Sequence, residues 1–327
     1  MTAINRRALL LGAALSPLIV SGRAAGQANW PNQVIRIVVP FAPGSFTDVS
    51  ARLVAQELTE QLGQSVIVEN RGGAGGNAGT LAVVRAAPDG YTLLLTDTSL
   101  SIAPGLYAAN LPYDPIKDLA QISRIADSPS ILLLRPGLGP KTLAELVALA
   151  KQKPGEITFG SGGQGSSAHL AMEFLLNVAG IKALHVPFRG VAAAIADVIA
   201  GRVDMAIASL ASGVAHVKAG TLLGLGVSGN KRSELLPEVP TFAEAGQPRY
   251  NMSYWWGIAA PAGTPRPVVE RLHREIVKAC GQPRLREAFL KSAAIAVTST
   301  PEEMTKFVTE EIGVWRNVIK SANVTVQ

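Results

Sequence analysis

Residues 160–170 read Gly-Ser-Gly-Gly-Gln-Gly-Ser-Ser-Ala-His-Leu, and this stretch decides the fold. A short apolar run at residues 157–159 precedes it, and apolar residues at helical spacing follow it, which predicts a strand, a glycine-rich turn and a helix. Ser166 or Ser167 is a good N-cap for that helix. Because the first turn of a helix has free N–H groups and the positive end of the helix dipole, the stretch predicts an anion-binding site.

A second loop of the same kind lies near the start of the chain. Residues 40–48 read Pro-Phe-Ala-Pro-Gly-Ser-Phe-Thr-Asp and follow a β-branched run at residues 34–39. Helically spaced apolar residues come next, with Thr47 or Asp48 near the helix start. We expect the two loops to face each other across one ligand.

The first 28 residues have the composition of an export signal. Arg6 and Arg7 precede an uncharged apolar run, residues 8–20, that is too short to span a bilayer. A cut after Ala28, or alternatively near Ala24 or Ala25, would leave a periplasmic protein. Either cut would remove three arginines and lower the formal net charge from +6 to +3. That charge is too small to indicate nucleic-acid binding. The single cysteine, Cys280, excludes an intrachain disulfide and is expected to be a half-buried helical residue.

The order of the predicted elements suggests two domains. Strands and helices alternate over most of the 327 residues, which predicts an α/β fold with a parallel sheet covered by helices on both faces. After a strand at residues 254–260 the chain is helical, so its helices must cover the first domain. We therefore expect lobe 1 at residues 29–128 and 254–327, lobe 2 at residues 129–253, and a two-strand hinge beside a ligand cleft.

The glycine loops also allow a dinucleotide-binding enzyme. Residues 160–165 match G-x-G-x-x-G, residues 73–78 match its G/A variant, and Asp97 follows the second match at about the spacing of the ribose-binding acid. No acid stands at the corresponding distance after Gly165, and an exported protein meets little NAD. A tight turn without a ligand is the alternative for both loops.

Hydrolase and metal chemistry have weaker signals. His169 lies close in sequence to the serines of the loop, but no G-x-S-x-G motif surrounds them. The histidines lack metal-ligand spacing, and we expect neither a metal nor a cofactor. Arg189, after a strand end, either pairs with a ligand carboxylate or is solvated. Of Trp255 and Trp256, one is expected to face the core and the other the cleft or solvent.

Nine stretches together resemble one family, the substrate-binding proteins of tripartite tricarboxylate transporters, or Bug proteins, which have the type II periplasmic binding-protein fold. They cover nearly all of the mature chain in order. The matching stretches are Trp30-Pro31, residues 40–44 with Asp48, and residues 68–71, 88–92, 160–170, 186–190, 231–233, 237–241 with 244–246, and 260–265.

The resemblance implies a two-lobed, monomeric receptor that is not an enzyme. Such a receptor closes on a small carboxylate, gripping it largely through backbone N–H groups, and delivers it to the membrane subunits of a tripartite tricarboxylate-type transporter. Carried onto this sequence, the resemblance implies ligand contacts from Phe41, Ala42, Pro43, Gly44, Ser45, Phe46, Thr47, Asp48, Thr96, Asp97, Thr98, Ser161, Gly162, Gly165, Ser166, Ser167, His169, Phe188 and Arg189.

Two residues depart from the family pattern. Ser45 stands where the family usually has a second glycine, and Phe46 is then expected to add bulk at the pocket mouth. Asp97 is unusual if it faces the pocket, where it would meet a protonated amine or a carboxylic acid proton; the alternative is an Asp97 that faces solvent. A side chain added at Gly165 is expected to occupy the anion's position.

Overall fold

The computed structural model describes residues 30–322 and residue 324, so the predicted export signal lies outside the described residues. Within this part of the chain, the strands are β1 Ile35–Val39, β2 Val66–Asn70, β3 Thr92–Asp97, β4 Leu119–Leu134, β5 Thr158–Ser161, β6 Leu184–Pro187, β7 Met205–Ser209, β8 Leu223–Val227, β9 Ser253–Pro261 and β10 Ile295–Ala296. The helices are α1 Phe46–Leu62, α2 Asn77–Val84, α3 Ser99–Leu106, α4 Leu143–Gln152, α5 Ser167–Ala179, α6 Val191–Ile199, α7 Leu210–Lys218, α8 Arg266–Gly281, α9 Pro283–Lys291 and α10 Pro301–Ala322.

The strands form one continuous path in the order β2-β1-β3-β9-β4-β7-β5-β6, with β8 and β10 also paired to β4. Strands β1, β2 and β3 are parallel to one another, and so are β5, β6 and β7. We call the first group, with β9, sheet I and the second group, with β8, sheet II. In both groups the loops after the carboxyl ends of parallel strands lead into helices, which is where ligands of α/β proteins bind.

The long strand β4 joins the two sheets. Its residues 119–129 pair with β9, and its residues 130–134 pair with β7 and β8. All these pairings are antiparallel, as is that of β3 with β9. The expected purely parallel sheet is therefore wrong: the sheet is mixed, because two long strands run against the short parallel ones.

Each sheet has its own apolar core. Val38, Leu94 and Trp255 of sheet I pack with Met304 and Val308 of α10. This contact places the C-terminal helix on the first sheet, as the sequence predicts. In sheet II, the core includes Ile131, Leu133, Ala206, Val214 and Val239. Burying these apolar side chains stabilises each layer by roughly 1.5–3 kcal/mol per large residue.

Helix α3 has no clear signal in the sequence. It contains Pro104, and six of its eight residues are buried, so it shows no apolar stripe. Its start is tied to β3, because Asp97 Oδ1 accepts a hydrogen bond from the backbone N–H of Ser99 at 2.9 Å. Cys280 is buried on α8, more deeply than the expected half-buried position. Among the helices of the described residues, none has the length and apolar character required to cross a membrane.

Candidate functional site

Three helix N-termini in the described part of the chain meet at one pocket. Ser45, Ser166 and Ser209 are the N-caps of α1, α5 and α7, and all three line the pocket. Each serine hydroxyl accepts a hydrogen bond from an N–H in the first turn of its helix; the donors are Asp48 at 3.4 Å, His169 at 3.3 Å and Ser212 at 3.2 Å. The positive ends of three helix dipoles therefore point toward one small space.

In the first turns of α1 and α5, the backbone N–H groups of three pocket residues have no hydrogen-bond partner within the described residues. They belong to Thr47 of α1 and to Ser167 and Ala168 of α5. The neighbouring N–H of Phe46 donates to Ser212 Oγ at 3.4 Å, and that of Ala211 to Ser128 Oγ at 3.1 Å. Unpaired N–H groups at helix ends bind anions well, because their donors and dipoles are already oriented.

The pocket itself is small. Its cavity volume is about 30 Å³. Aromatic side chains from two segments, the loop after β1 and strand β9, form part of its wall. The lining residues are Phe41, Ser45, Thr47, Asp97, Gly162, Ser166, Ser167, Ala168, Val191, Ala208, Ser209, Ser212, Tyr254 and Trp256.

Seven of the residues implied by the resemblance therefore line one pocket: Phe41, Ser45, Thr47, Asp97, Gly162, Ser166 and Ser167. The other lining residues include Val191, Ala208, Ser209, Ser212 and Tyr254, from segments in which the sequence indicates no site. One signal was present for two of them: residues 209–212, Ser-Leu-Ala-Ser, follow a buried strand as the two predicted loops do. The expected division of the tryptophans is confirmed, because Trp256 lines the pocket and Trp255 packs in the core.

Phe46 points into the core, and the expectation that it adds bulk at the pocket mouth is wrong. Its ring packs edge-on against Trp256 with a centroid distance of 4.6 Å and against Phe289 at 5.3 Å. As the first residue of α1 it has a fixed direction, and aromatic pairs of this geometry are favourable. Trp256 is also held by a hydrogen bond from its Nε1 to Thr47 Oγ1 at 2.9 Å.

Asp48 supports the first loop and is absent from the pocket lining. Its carboxylate accepts hydrogen bonds from Gly44 N at 3.2 Å, Arg52 Nε at 3.1 Å and Asn70 Nδ2 at 3.0 Å. Burial acts to raise the pKa of Asp48, but these hydrogen bonds outweigh it and hold the pKa below its ordinary value. The carboxylate therefore stays ionised and fixes the loop, which explains its place in the motif.

Asp97 faces the pocket at the end of β3, so a solvent-facing Asp97 is excluded. The residue is 4% exposed, and burial raises its pKa to about 6 against the opposing effect of hydrogen bonds from Ser99. Its neighbours Thr96 and Thr98 do not line the pocket. Thr98 Oγ1 instead accepts a hydrogen bond from the backbone N–H of Trp255 at 3.2 Å.

His169 and Ser161 lie behind the glycine–serine loop, where they support it. His169 Nδ1 accepts a hydrogen bond from Gly165 N at 3.2 Å, and its ring stacks on that of His185 at 4.0 Å. Ser161 is fully buried and pairs through Oγ with His185 Nε2 at 2.6 Å. Neither residue lines the pocket, and His169 is not placed as a base for the loop serines.

Gly165 is also behind the pocket. With φ of +79°, it lies so close to Tyr107 that an added Cβ would be 2.3 Å from the phenol oxygen. A side chain at this position would meet Tyr107, so the expectation that it would occupy the anion's position is wrong.

The histidine stack makes the fold sensitive to acid. Burial lowers the pKa of His169 to about 3, with a smaller effect from His185, and burial lowers the pKa of His185 to about 4. Below pH 6.5 the unfolded chain therefore binds more protons than the folded one, and stability is lost as the pH falls. In His185→Gln, we expect the loss of unfolding free energy between pH 6.5 and 5 to be smaller by about 1 kcal/mol.

Urea unfolding at the two pH values measures this difference. His216→Gln, on α7 and remote from the stack, is the control and is expected to lose as much stability as the unaltered protein. An equal loss in His185→Gln and His216→Gln would show that the stack does not carry the acid sensitivity.

The first predicted loop, residues 40–48, touches the turn that follows β6. Ala42 N donates a hydrogen bond to Arg189 O at 3.2 Å, while the Arg189 side chain is exposed and has no ion pair among the described residues. This favours the solvated alternative for Arg189. Phe188 packs against the core of sheet II, and Pro43 and Gly44 are exposed.

The glycine loop at residues 73–78 makes a close backbone contact with the glycine–serine loop at residues 160–170. At Gly75, φ is +65° and an added Cβ would be 2.4 Å from the backbone oxygen of Gln164. This approach explains a glycine there without a dinucleotide. Among the described residues, no group of three acidic, histidine or cysteine side chains is placed to hold a metal ion.

Comparison with known proteins identifies the family. The model of the tripartite tricarboxylate transporter family receptor matches residues 50–324. Protein BugT of Bordetella pertussis is 37% identical over 293 residues, which are 89% of this chain and 90% of BugT.

Solved structures agree. The periplasmic binding protein BugD has a TM-score of 0.88 at 32% identity, covering 91% of this chain and all of that one. MatC from Rhodopseudomonas palustris, solved with bound malate, has a TM-score of 0.86 at 30% identity, covering 89% of this chain and all of MatC. The predicted two-lobed α/β fold of periplasmic binding proteins is confirmed. This chain belongs to the tripartite tricarboxylate transporter receptor family.

Proposed function

We propose that the protein is an extracytoplasmic receptor that binds a small carboxylate, whether a di- or tricarboxylate, an aromatic acid or an amino acid, in the pocket where α1, α5 and α7 begin. It would then deliver the ligand to the membrane subunits of a tripartite tricarboxylate-type transporter. The observation that carries the proposal is the set of unpaired N–H groups at Thr47, Ser167 and Ala168. MatC, with malate bound, supports the ligand class.

The available interactions are strong enough for a receptor. A helix dipole stabilises an anion near its N-terminus by about 0.3–2 kcal/mol, and a charge-assisted hydrogen bond contributes about 1.5–3 kcal/mol. At the upper end of these ranges, three hydrogen bonds and three dipoles contribute about 15 kcal/mol. After association costs of about 7 kcal/mol, roughly −8 kcal/mol is left, which corresponds to micromolar affinity. A reactive side chain is not needed, and the proposal includes no catalytic step and no cofactor.

Ligand binding would close two lobes. We place lobe 1 at residues 29–128 and 254–327 and lobe 2 at residues 129–253. The change of partner along β4, from β9 to β7 and β8, supports this boundary. Hydrogen bonds between the two lobes, such as the one that Tyr107 Oη donates to Gln164 O at 3.1 Å, would then form only in the closed state. A bound anion would favour that state.

Export and a monomeric state complete the proposal. The basic and apolar composition of residues 1–28 supports cleavage after Ala28 and a periplasmic location. One pocket is formed within one chain, so binding does not require a second copy.

Calorimetry on the mature chain, residues 29–327, tests the function. The panel contains malate, citrate, adipate, benzoate and glutamate, with succinate and its uncharged analogue succinamide as a matched pair. We expect one-site binding of at least one carboxylate with a micromolar Kd, and weaker binding of succinamide than of succinate if that pair binds. Absence of carboxylate binding, or turnover after addition of NAD, would count against a receptor and favour the oxidoreductase alternative.

A further inference from the structure

The pocket contains a buried acid without a cationic partner. Asp97 is 4% exposed, and Oδ1 accepts hydrogen bonds from Ser99 N at 2.9 Å and Ser99 Oγ at 2.5 Å. Within the described residues, its Oδ2 has no hydrogen bond and no lysine, arginine or histidine forms an ion pair with it. Burial of a carboxylate without a cation is unfavourable, so the position points to a charge that arrives from outside the chain.

A second unsatisfied group lies at the same pocket. The hydroxyl of Tyr254 is buried and has no hydrogen-bond partner among the described residues. Burial raises the pKa of Tyr254 well above its ordinary value, and the nearby Tyr250 and Asp97 raise it further, so the hydroxyl is close enough to sense the Asp97 charge. Both groups can accept a hydrogen bond from the same donor.

A protonated amine fits these surroundings. It is compact, donates three hydrogen bonds and supplies the missing positive charge. The rings of Phe41 and Trp256 also line the pocket, and aromatic faces attract cations. A second ligand carboxylate would instead meet Asp97, which is mostly ionised at pH 7.5 because its pKa is about 6.

We propose that the ligand carries a protonated amino group beside its carboxylate, and that Asp97, helped by Tyr254, binds the amino group while the N–H groups of Thr47, Ser167 and Ala168 bind the carboxylate. The proposal deepens the proposed carboxylate-receptor function and rests on it. The amino group and the carboxylate beside it then form a zwitterionic pair, which matches a pocket with positive helix ends and one buried carboxylate.

Matched ligand pairs test the proposal by calorimetry at pH 7.5. The pairs are L-alanine and propionate, L-aspartate and succinate, L-glutamate and glutarate, and L-phenylalanine and 3-phenylpropionate. In at least one pair, we expect the amino acid to bind at least tenfold more tightly than the acid that lacks the amine. Asp97→Asn should weaken binding of that amino acid by about 10–100-fold and reduce the difference within the pair to less than threefold.

Two further variants accompany this comparison. Tyr254→Phe removes one acceptor and should weaken amino-acid binding by roughly three- to tenfold. Glu238→Gln removes an exposed carboxylate that has no hydrogen bond or ion pair in the described residues, and should change nothing. The asparagine in Asp97→Asn keeps a side-chain oxygen that can accept the hydrogen bonds from Ser99. We therefore expect the melting temperature of this variant to equal or exceed that of the unaltered protein.

Each outcome separates this proposal from the receptor function. Equal or tighter binding of the acid without an amine in every pair, or an unchanged preference in Asp97→Asn, would overturn the proposal while leaving a carboxylate receptor in place. If no member of any pair and no acid of the wider carboxylate panel binds, both proposals fail. If Asp97→Asn does not fold, two measurements still decide whether the proposal holds. They are the comparison of ligand pairs in the unaltered protein and the affinity of Tyr254→Phe for the amino acid.

Discussion

Ala168→Leu is expected to weaken carboxylate binding at least 100-fold while leaving the fold intact. Ala168 is 4% exposed, lies in the first turn of α5 and lines the pocket. Leucine adds three carbon atoms to a cavity of about 30 Å³, so ligand and side chain compete for the same space. Expelling the ligand carboxyl from the helix N-termini costs about 2.7 kcal/mol or more, which is a factor of 100.

The measurement is a calorimetric titration with the tightest-binding carboxylate, together with a thermal melt. Ala193→Leu is the matched control, because Ala193 is exposed on α6 and does not line the pocket. The Ala193→Leu protein is expected to bind the carboxylate as tightly as the unaltered protein does. A folded Ala168→Leu protein with unreduced affinity would place the binding site elsewhere.

Gly75→Ala is expected to weaken binding by about 10–100-fold through faster ligand release. The added Cβ would lie 2.4 Å from Gln164 O and 2.8 Å from the carbonyl carbon of Gly165, so the two loops must separate. If they close over the ligand, as we propose, the substitution destabilises the closed state and affects mainly the dissociation rate.

Gly63→Ala is the control for the backbone cost. Gly63 has the same φ, +65°, but nothing lies within 4 Å of an added Cβ. Both substitutions therefore lower the unfolding free energy by about 1–2 kcal/mol, because alanine is strained in the left-handed backbone conformation. Only Gly75→Ala changes the contact between the loops. Stopped-flow release of the ligand compares them. Equal release rates in both variants would show that closure of this loop does not retain the ligand.

Local sequence signals predict the elements around the site well. The breaker-rich loops, the serine caps and the apolar spacing depend on interactions within one turn of helix, which a sequence contains directly. Ser166, one of the two predicted caps, is the N-cap of α5. At α1 the cap is Ser45, two or three residues before the predicted Thr47 or Asp48, because the loop ends earlier than its composition indicates.

Directions of side chains and long-range pairings are less predictable. Phe46 turns toward Trp256 and Phe289, more than 200 residues away in sequence. The antiparallel strands β4 and β9 pair residues that are 124 to 142 positions apart. Asp48 and Asp97 show the same difficulty. Asp48 lies in the first turn of α1 and Asp97 at the end of β3, but only Asp97 lacks a basic partner, and that distinction depends on which residues the fold brings beside them. A single sequence does not contain this information.

The most direct test of the account is a crystal structure of the mature protein with its tightest-binding carboxylate. We predict that the ligand carboxylate lies at the start of α1 and α5, with its oxygens about 2.7–3.2 Å from the backbone nitrogens of Thr47, Ser167 or Ala168. A carboxylate held outside this pocket, or held in it by a charged side chain with none of these nitrogens in contact, would contradict the account.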